Sequence, residues 1–142
     1  MTISSRFSVA IHMLTLVALS PPEVISSDFL ARSVNTNPAL IRKIMAMLKN
    51  AELIQVKPGV AGATLTKSLT EISLLEIYQA VAVVEPNELF GIHDQPNPAC
   101  PIGRNIQATI EPIFITAQSA MERVLEQIML SDVVKDIEQL TN

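Results

Sequence analysis

Residues 35–50 read NTNPALIRKIMAMLKN, and the fold can be worked out from them. Asn37 followed by Pro38 marks a helix start. Asn caps free backbone N–H groups, and Pro at the first helical position loses no hydrogen bond. From there Ile41, Ile44, Met45 and Leu48 recur at helical spacing and are expected to face a core. Ala39, Arg42, Lys43 and Ala46 fall on the opposite face, which is small, basic and poor in apolar side chains. Such a face either enters a groove or is simply solvated.

Upstream, Ser26-Ser27-Asp28 offers caps and early negative charge for a short helix through Ser33. Val34-Asn35-Thr36 is a tight turn, with Asn35 suited to the left-handed conformation. Before it, Phe7, Ala10, Ile11, Leu14 and Ala18 give a first helix from about Ser4 to Leu19, ended by Pro21-Pro22. Downstream, Leu53 to Val56 and Thr64-Leu65-Thr66 read as short strands around KPGVAG, where Pro58, Gly59 and Gly62 supply turn chemistry. Two short helices, a tight turn and a hairpin are the order of a winged helix-turn-helix. Leu30, Ala31, Val34, Ile41 and Ile44 sit where two steeply crossing helices must be apolar.

Beyond the hairpin, Ser68 and Glu71 predict a capping box for a fourth helix to about Val83. A loop rich in proline covers residues 85–103. A long helical pattern then runs from about Arg104 to Leu130, with Pro112 predicting a kink or a later start. Ser131-Asp132 would cap a last short helix to about Gln139. Ile110, Phe114, Ala117, Met121, Val124 and Ile128 step alternately by four and three, a heptad seam. Ile106, Ile113, Leu125 and Met129 add more apolar surface than one winged domain readily covers, which favours a symmetric dimer. The expected fold is mainly α with a small β-hairpin wing. Residues 1–83 form the winged domain, 84–103 an effector or sensor loop, and 104–142 a dimerisation helix with a short terminal helix.

Charge divides along the same line. The chain has 142 residues, 49% hydrophobic and 17% charged, with a net charge of −4. Yet residues 1–67 carry +4, and the remainder carries −8. A basic half meeting a polyanion accounts for this split. No apolar run reaches membrane-spanning length, and Ile11 to Leu19 lacks the cleavage site of a signal peptide. Met1 reads as a native start, and a single Cys without such a signal points to a reducing cytoplasm.

In a winged helix-turn-helix the third helix enters the major groove with its N-terminus leading. Thr36, Asn37, Pro38 and Ala39, with the N–H groups left free there, would approach phosphates and base edges. Arg42 and Lys43 would supply a bidentate base reader or phosphate charge. Lys57, Pro58, Gly59, Val60, Ala61 and Gly62 form the wing. Arg6 and Ser27, at the starts of the first and second helices, complete the candidate DNA contacts.

The segments SSRFSVAIHMLTLVAL (4–19), LARSVNTNPALIRKIMAMLKNAELI (30–54), KPGVAGATLTK (57–67) and LTEISLLEIYQAV (69–81) resemble the Rrf family of bacterial winged-helix regulators. That family includes the iron–sulfur cluster regulator and the nitric-oxide-sensing repressor. The resemblance implies a homodimer on a palindromic double-stranded operator, usually as a repressor, with the third helix from Asn37 to Lys43 reading DNA and the wing on the flank. Cluster-binding members place three cysteines in the loop before the dimer helix. Here that loop, HDQPNPACPIGRNI (93–106), holds Cys100 alone. One thiolate cannot hold an iron–sulfur cluster, even with His93 and Asp94 near it in sequence, and Zn²⁺ fails on the same count. This chain therefore resembles a member without a cluster, and no cofactor or metal is expected.

Cys100 keeps two readings. It precedes a helix whose dipole favours a thiolate, with Arg104 nearby, as a redox sensor requires. It is equally an inert loop residue. His12 beside the apolar stripe reads as a packed core or dimer-contact residue, and His93 as an ordinary loop residue. No phosphate-cradling loop, metalloprotease helix or nucleophile elbow is present, so enzyme activity has no support. The expected function is a homodimeric DNA-binding regulator, with the effector unidentified. The alternatives are a protein-interaction module built on the winged surface and a metabolite-responsive regulator without redox sensing.

Overall fold

A computed structural model describes residues 5–59, 62–82 and 88–141. In chain order the elements are α1 (Arg6–Leu19), α2 (Ser27–Val34), α3 (Pro38–Asn50), β1 (Ile54–Gln55), β2 (Thr64–Leu65), α4 (Leu74–Val81), α5 (Pro101–Gln127) and α6 (Leu130–Thr141). Among the described residues the chain is mainly helical with one two-stranded antiparallel sheet, a winged helix-turn-helix followed by a long helix. It divides into two compact units. The first contains the residues through Ala82 together with those from Glu126 onward, and the second contains Val83–Leu125.

The first unit is built on the helix-turn-helix. Ser26 accepts the Phe29 N–H at 3.0 Å and so starts α2. Asn35 ends it in the left-handed conformation (φ 65°, ψ 51°), and the Asn35 and Thr36 N–H groups both return to the Ala31 carbonyl. Asn37 accepts the Leu40 N–H at 2.9 Å, with Pro38 in the first position of α3. Leu30, Ala31, Ile41, Ile44 and Leu48 are buried, while Val34 and Met45 lie half-exposed at the edge of the crossing. Each fully buried aliphatic side chain of this kind contributes about 1.5–3 kcal/mol of transfer free energy.

The α1 stripe is rotated from the expected one. Ala10, Met13 and Leu14 are buried, whereas Phe7, Ile11 and Ala18 are only half-buried. Phe7 and Ile11 instead line an apolar groove shared with Val133 and Ile137 of α6.

Both strands are shorter than the sequence patterns suggest. Ile54 pairs with Leu65 and Gln55 with Thr64, and Val56 is already exposed beyond the ladder.

The predicted Ser68–Glu71 capping box does not open α4. Those residues form a separate 3-10 turn, Leu69–Glu71, where Ser68 accepts from Thr70 N–H. The capping box lies at Ser73 and Glu76, each side chain bonding the other's backbone N–H. The cause is long-range. Ile72 and Ser73 run extended beside the segment entering α6, with Leu130 N–H on the Ile72 carbonyl and Leu74 N–H on the Ile128 carbonyl, both 2.8 Å. That pairing delays α4 by one turn. It also starts α6 at Leu130, so Ser131 and Asp132 lie inside its first turn and the Asp132 carboxylate reaches back to the Met129 N–H.

In the second unit α5 begins at Pro101, three residues before Arg104, and runs through Pro112 rather than starting there. Gln118 is the buried polar residue of this helix. It accepts the Leu89 N–H at 3.0 Å and so ties the preceding loop to the helix, beside a tilted Phe90–Phe114 pair with centroids 5.2 Å apart. Along the heptad seam Ile110, Phe114, Met121 and Ile128 are half-buried, and Ala117 and Val124 are exposed.

Candidate nucleic-acid interface

The helix-turn-helix brings Thr36, Asn37, Pro38, Ala39, Arg42 and Lys43 onto one end of α3. Asn37, Ala39, Arg42 and Lys43 are exposed, while Thr36 and Pro38 are half-buried. The sequence suggested that backbone N–H groups here are left for phosphates. Two of them are spent internally: Thr36 N–H is on the Ala31 carbonyl and Leu40 N–H on the Asn37 side chain. Asn37 therefore acts first as a cap. The positive charge at this end of α3 is carried by the exposed Arg42 and Lys43, one turn further along.

A shallow depression at the α2–α3 turn is lined by Asp28, Ala31, Arg32, Asn35, Thr36 and Pro38. Arg32 is exposed in the last turn of α2, beside the residues singled out from sequence. It is a candidate contact that periodicity missed, because only the folded turn brings it beside Thr36 and Pro38. Ser27 is half-buried at the start of α2, and Arg6 half-buried at the start of α1. Lys67 is committed elsewhere, in an ion pair with Glu76 at 2.6 Å.

In the wing, Lys57, Pro58 and Gly59 are exposed and Gly62 is half-buried. Both glycines have positive φ, +76° at Gly59 and +91° at Gly62, as the turn chemistry of KPGVAG requires. Val60 and Ala61, the expected wing tip, lie outside the described residues.

An Rrf2 family model, described as an iron-dependent transcriptional regulator, matches residues 3–136. The chain belongs to the Rrf2 family. Like the family's other members it is a helix-turn-helix transcriptional regulator that binds DNA, and not an enzyme. It is 44% identical over 135 residues to YwnA, a candidate HTH-type transcriptional regulator of Bacillus subtilis (strain 168), covering 95% of this chain and 98% of that one. A crystal structure of a candidate DNA-binding protein superposes with a TM-score of 0.73 at 41% identity, over 91% of this chain and 98% of that one. The T. potens IscR structure shares the fold at 16% identity, with a TM-score of 0.69 over 100% of this chain and 92% of that one.

The Rrf2 description names iron, and the donor set here does not fit it. Cys100 is the chain's one cysteine and is exposed. Among the described residues no three His, Cys, Asp or Glu side chains gather in a metal-holding group. His12 is not a core residue either: it is exposed, with Nε2 2.9 Å from the Ser33 hydroxyl.

Cys100 stands directly before Pro101, and its carbonyl accepts the Arg104 N–H at 2.9 Å, the position of a helix cap. Backbone N–H groups of Gly103 and Ile102 donate to its sulfur and lower the thiol pKa below its ordinary value. Those amides favour the charged form, as at other helix N-termini. Among the described residues no helix is long and apolar enough to cross a membrane.

Proposed function

We propose that the protein is a homodimeric, sequence-specific repressor acting in the cytoplasm on a palindromic operator, with α3 in the major groove and the wing on the flank. The observation that carries this reading is the exposed Arg42–Lys43 pair on a capped α3 within a winged helix-turn-helix. The apolar surface of α5 supports the dimer, since Val124 of the seam and Ile113 beside it are 56% and 59% exposed in one chain. A symmetric pair would cover them and set two recognition helices against two half-sites.

Cys100 is the sensor in this reading. Its thiolate attacks one sulfur of a small-molecule disulfide. A new Sγ–S bond forms, the original S–S bond breaks, and the second thiolate leaves and takes a proton from water. The resulting neutral sulfur is a poorer acceptor for the Ile102 and Gly103 N–H groups. The start of α5 shifts, and with it the spacing of the two winged domains. The test is operator release by a small disulfide such as cystine. Release is expected for wild type and not for Cys100→Ser. Equal release by both proteins would remove Cys100 from the mechanism.

One observation favours a second reading. The groove between α1 and α6 is about 530 Å³ and mostly apolar, within the range of small-molecule sites. A metabolite-responsive regulator without redox sensing would gain thermal stability from its ligand through this groove, and Ile11→Trp would abolish that gain.

A further inference from the structure

The wing meets the rest of its unit at one very close approach. A Cβ placed on Gly62 would fall 1.6 Å from the Pro22 carbonyl oxygen and 2.5 Å from its carbon. Both are backbone atoms, so no side chain can turn aside to make room. Gly59 has the same sign of φ, yet nothing lies within 4 Å of the corresponding position. One glycine serves the turn alone, and the other serves the turn and a contact.

The partner atom is well placed to matter. Pro22 opens a 3-10 turn, Pro22–Val24, between α1 and α2. Its carbonyl oxygen accepts the Ile25 N–H at 3.1 Å, and Ile25 is buried. The next residue, Ser26, caps α2. Gly62 therefore rests on the turn that launches the helix-turn-helix.

We propose that Gly62 is a positioning residue for DNA recognition: its missing side chain seats the wing on the Pro22 carbonyl and so fixes the distance between wing and α3. This rests on the reading that the wing meets DNA flanking the α3 site. It makes the wing a second reader held in register with the first. Any L-residue at position 62 lifts the wing from its seat, while the α2–α3 crossing, whose buried residues lie elsewhere, stays intact.

The test measures affinity of the full-length protein for two duplexes, an operator with its flanks and the same operator trimmed to the region under α3. Wild type is expected to favour the longer duplex by about tenfold, the worth of one or two backbone contacts. Gly62→Ala is expected to bind both duplexes equally, at the wild-type affinity for the trimmed one. If Gly62→Ala keeps the full flank advantage, the proposal is overturned and the wing reading stands. If wild type itself shows no flank advantage, the wing reading fails and the proposal falls with it. Loss of the trimmed duplex by Gly62→Ala also overturns it, because the glycine would then serve folding of the whole domain. Hydrogen exchange on wild type decides the matter without any variant. The longer duplex should slow exchange of the Ile25 amide and the trimmed one should not; an Ile25 amide indifferent to the flank overturns the proposal.

Discussion

Two helices of this chain begin with the same device, a polar residue followed by proline. They differ in what the polar residue can become. At α3 the Asn37 side-chain oxygen accepts the Leu40 N–H, and Pro38 follows. At α5 the Cys100 sulfur accepts N–H bonds from Gly103 and Ile102, and Pro101 follows. An amide neither titrates nor reacts under cellular conditions, so the start of α3 is permanent. A thiolate cap holds only while it is charged and unmodified. The same local grammar thus yields one fixed helix start and one open to chemistry.

The largest expected effect strikes the fixed start. Arg42→Ala with Lys43→Ala should weaken operator binding by about 10- to 100-fold, with helix content and thermal midpoint nearly unchanged, because both side chains are exposed. Fluorescence anisotropy alongside thermal melts separates the two. A matching collapse of the fold would mean that these residues hold structure together.

On α5 the seam is the place to press. Val124→Glu would put a charge into the proposed dimer interface and should raise the dimer dissociation constant by at least about tenfold in sedimentation experiments. The folded monomer should tolerate it, since Val124 is 56% exposed in one chain. An unshifted dimer would place the interface elsewhere.

Next in size comes the cap itself. Asn37→Ala leaves the Leu40 N–H without its partner and should cost about 1 kcal/mol in urea unfolding, the usual worth of an N-cap. A loss well below that would mean that water replaces the side chain, and that the start of α3 is less fixed than its geometry suggests.

The smallest effect concerns the open start. Because the Gly103 and Ile102 amides lower the Cys100 pKa, its thiolate persists to lower pH than that of an ordinary cysteine. Alkylation by iodoacetamide should reach half its limiting rate at a pH below the value for an unstructured cysteine-containing peptide. A midpoint at or above that value would return Cys100 to the inert reading. Cys100→Ser should leave the melting temperature unchanged, since the residue is exposed.

Much of this architecture was legible in the sequence because it is local. Asn37-Pro38, Asn35 and the Ile41–Ile44–Leu48 stripe each act within one or two turns, and the folded α2–α3 unit follows them. What escaped notice was set by distant chain. The Ser68–Glu71 pattern satisfies a capping box, yet the pairing of residues 72–74 with 128–130 moved the helix start to Ser73. The α1 stripe rotated because α6 packs beside it, and no period within α1 announces α6. Among candidate contacts, Arg42 and Lys43 were readable as an outward face. Arg32 was not, because only the folded turn brings it to the same depression. Gly62 was readable as a turn glycine, but its seat on Pro22 lies 40 residues away in sequence.

The most direct test of the account is a salt titration of binding to DNA upstream of the protein's own gene, for wild type and for the Arg42→Ala, Lys43→Ala variant. Wild-type log affinity should fall linearly with log salt, and the variant should bind more weakly with a slope shallower by about one to two. Identical affinity and slope for the two proteins would contradict it and take the recognition role away from α3.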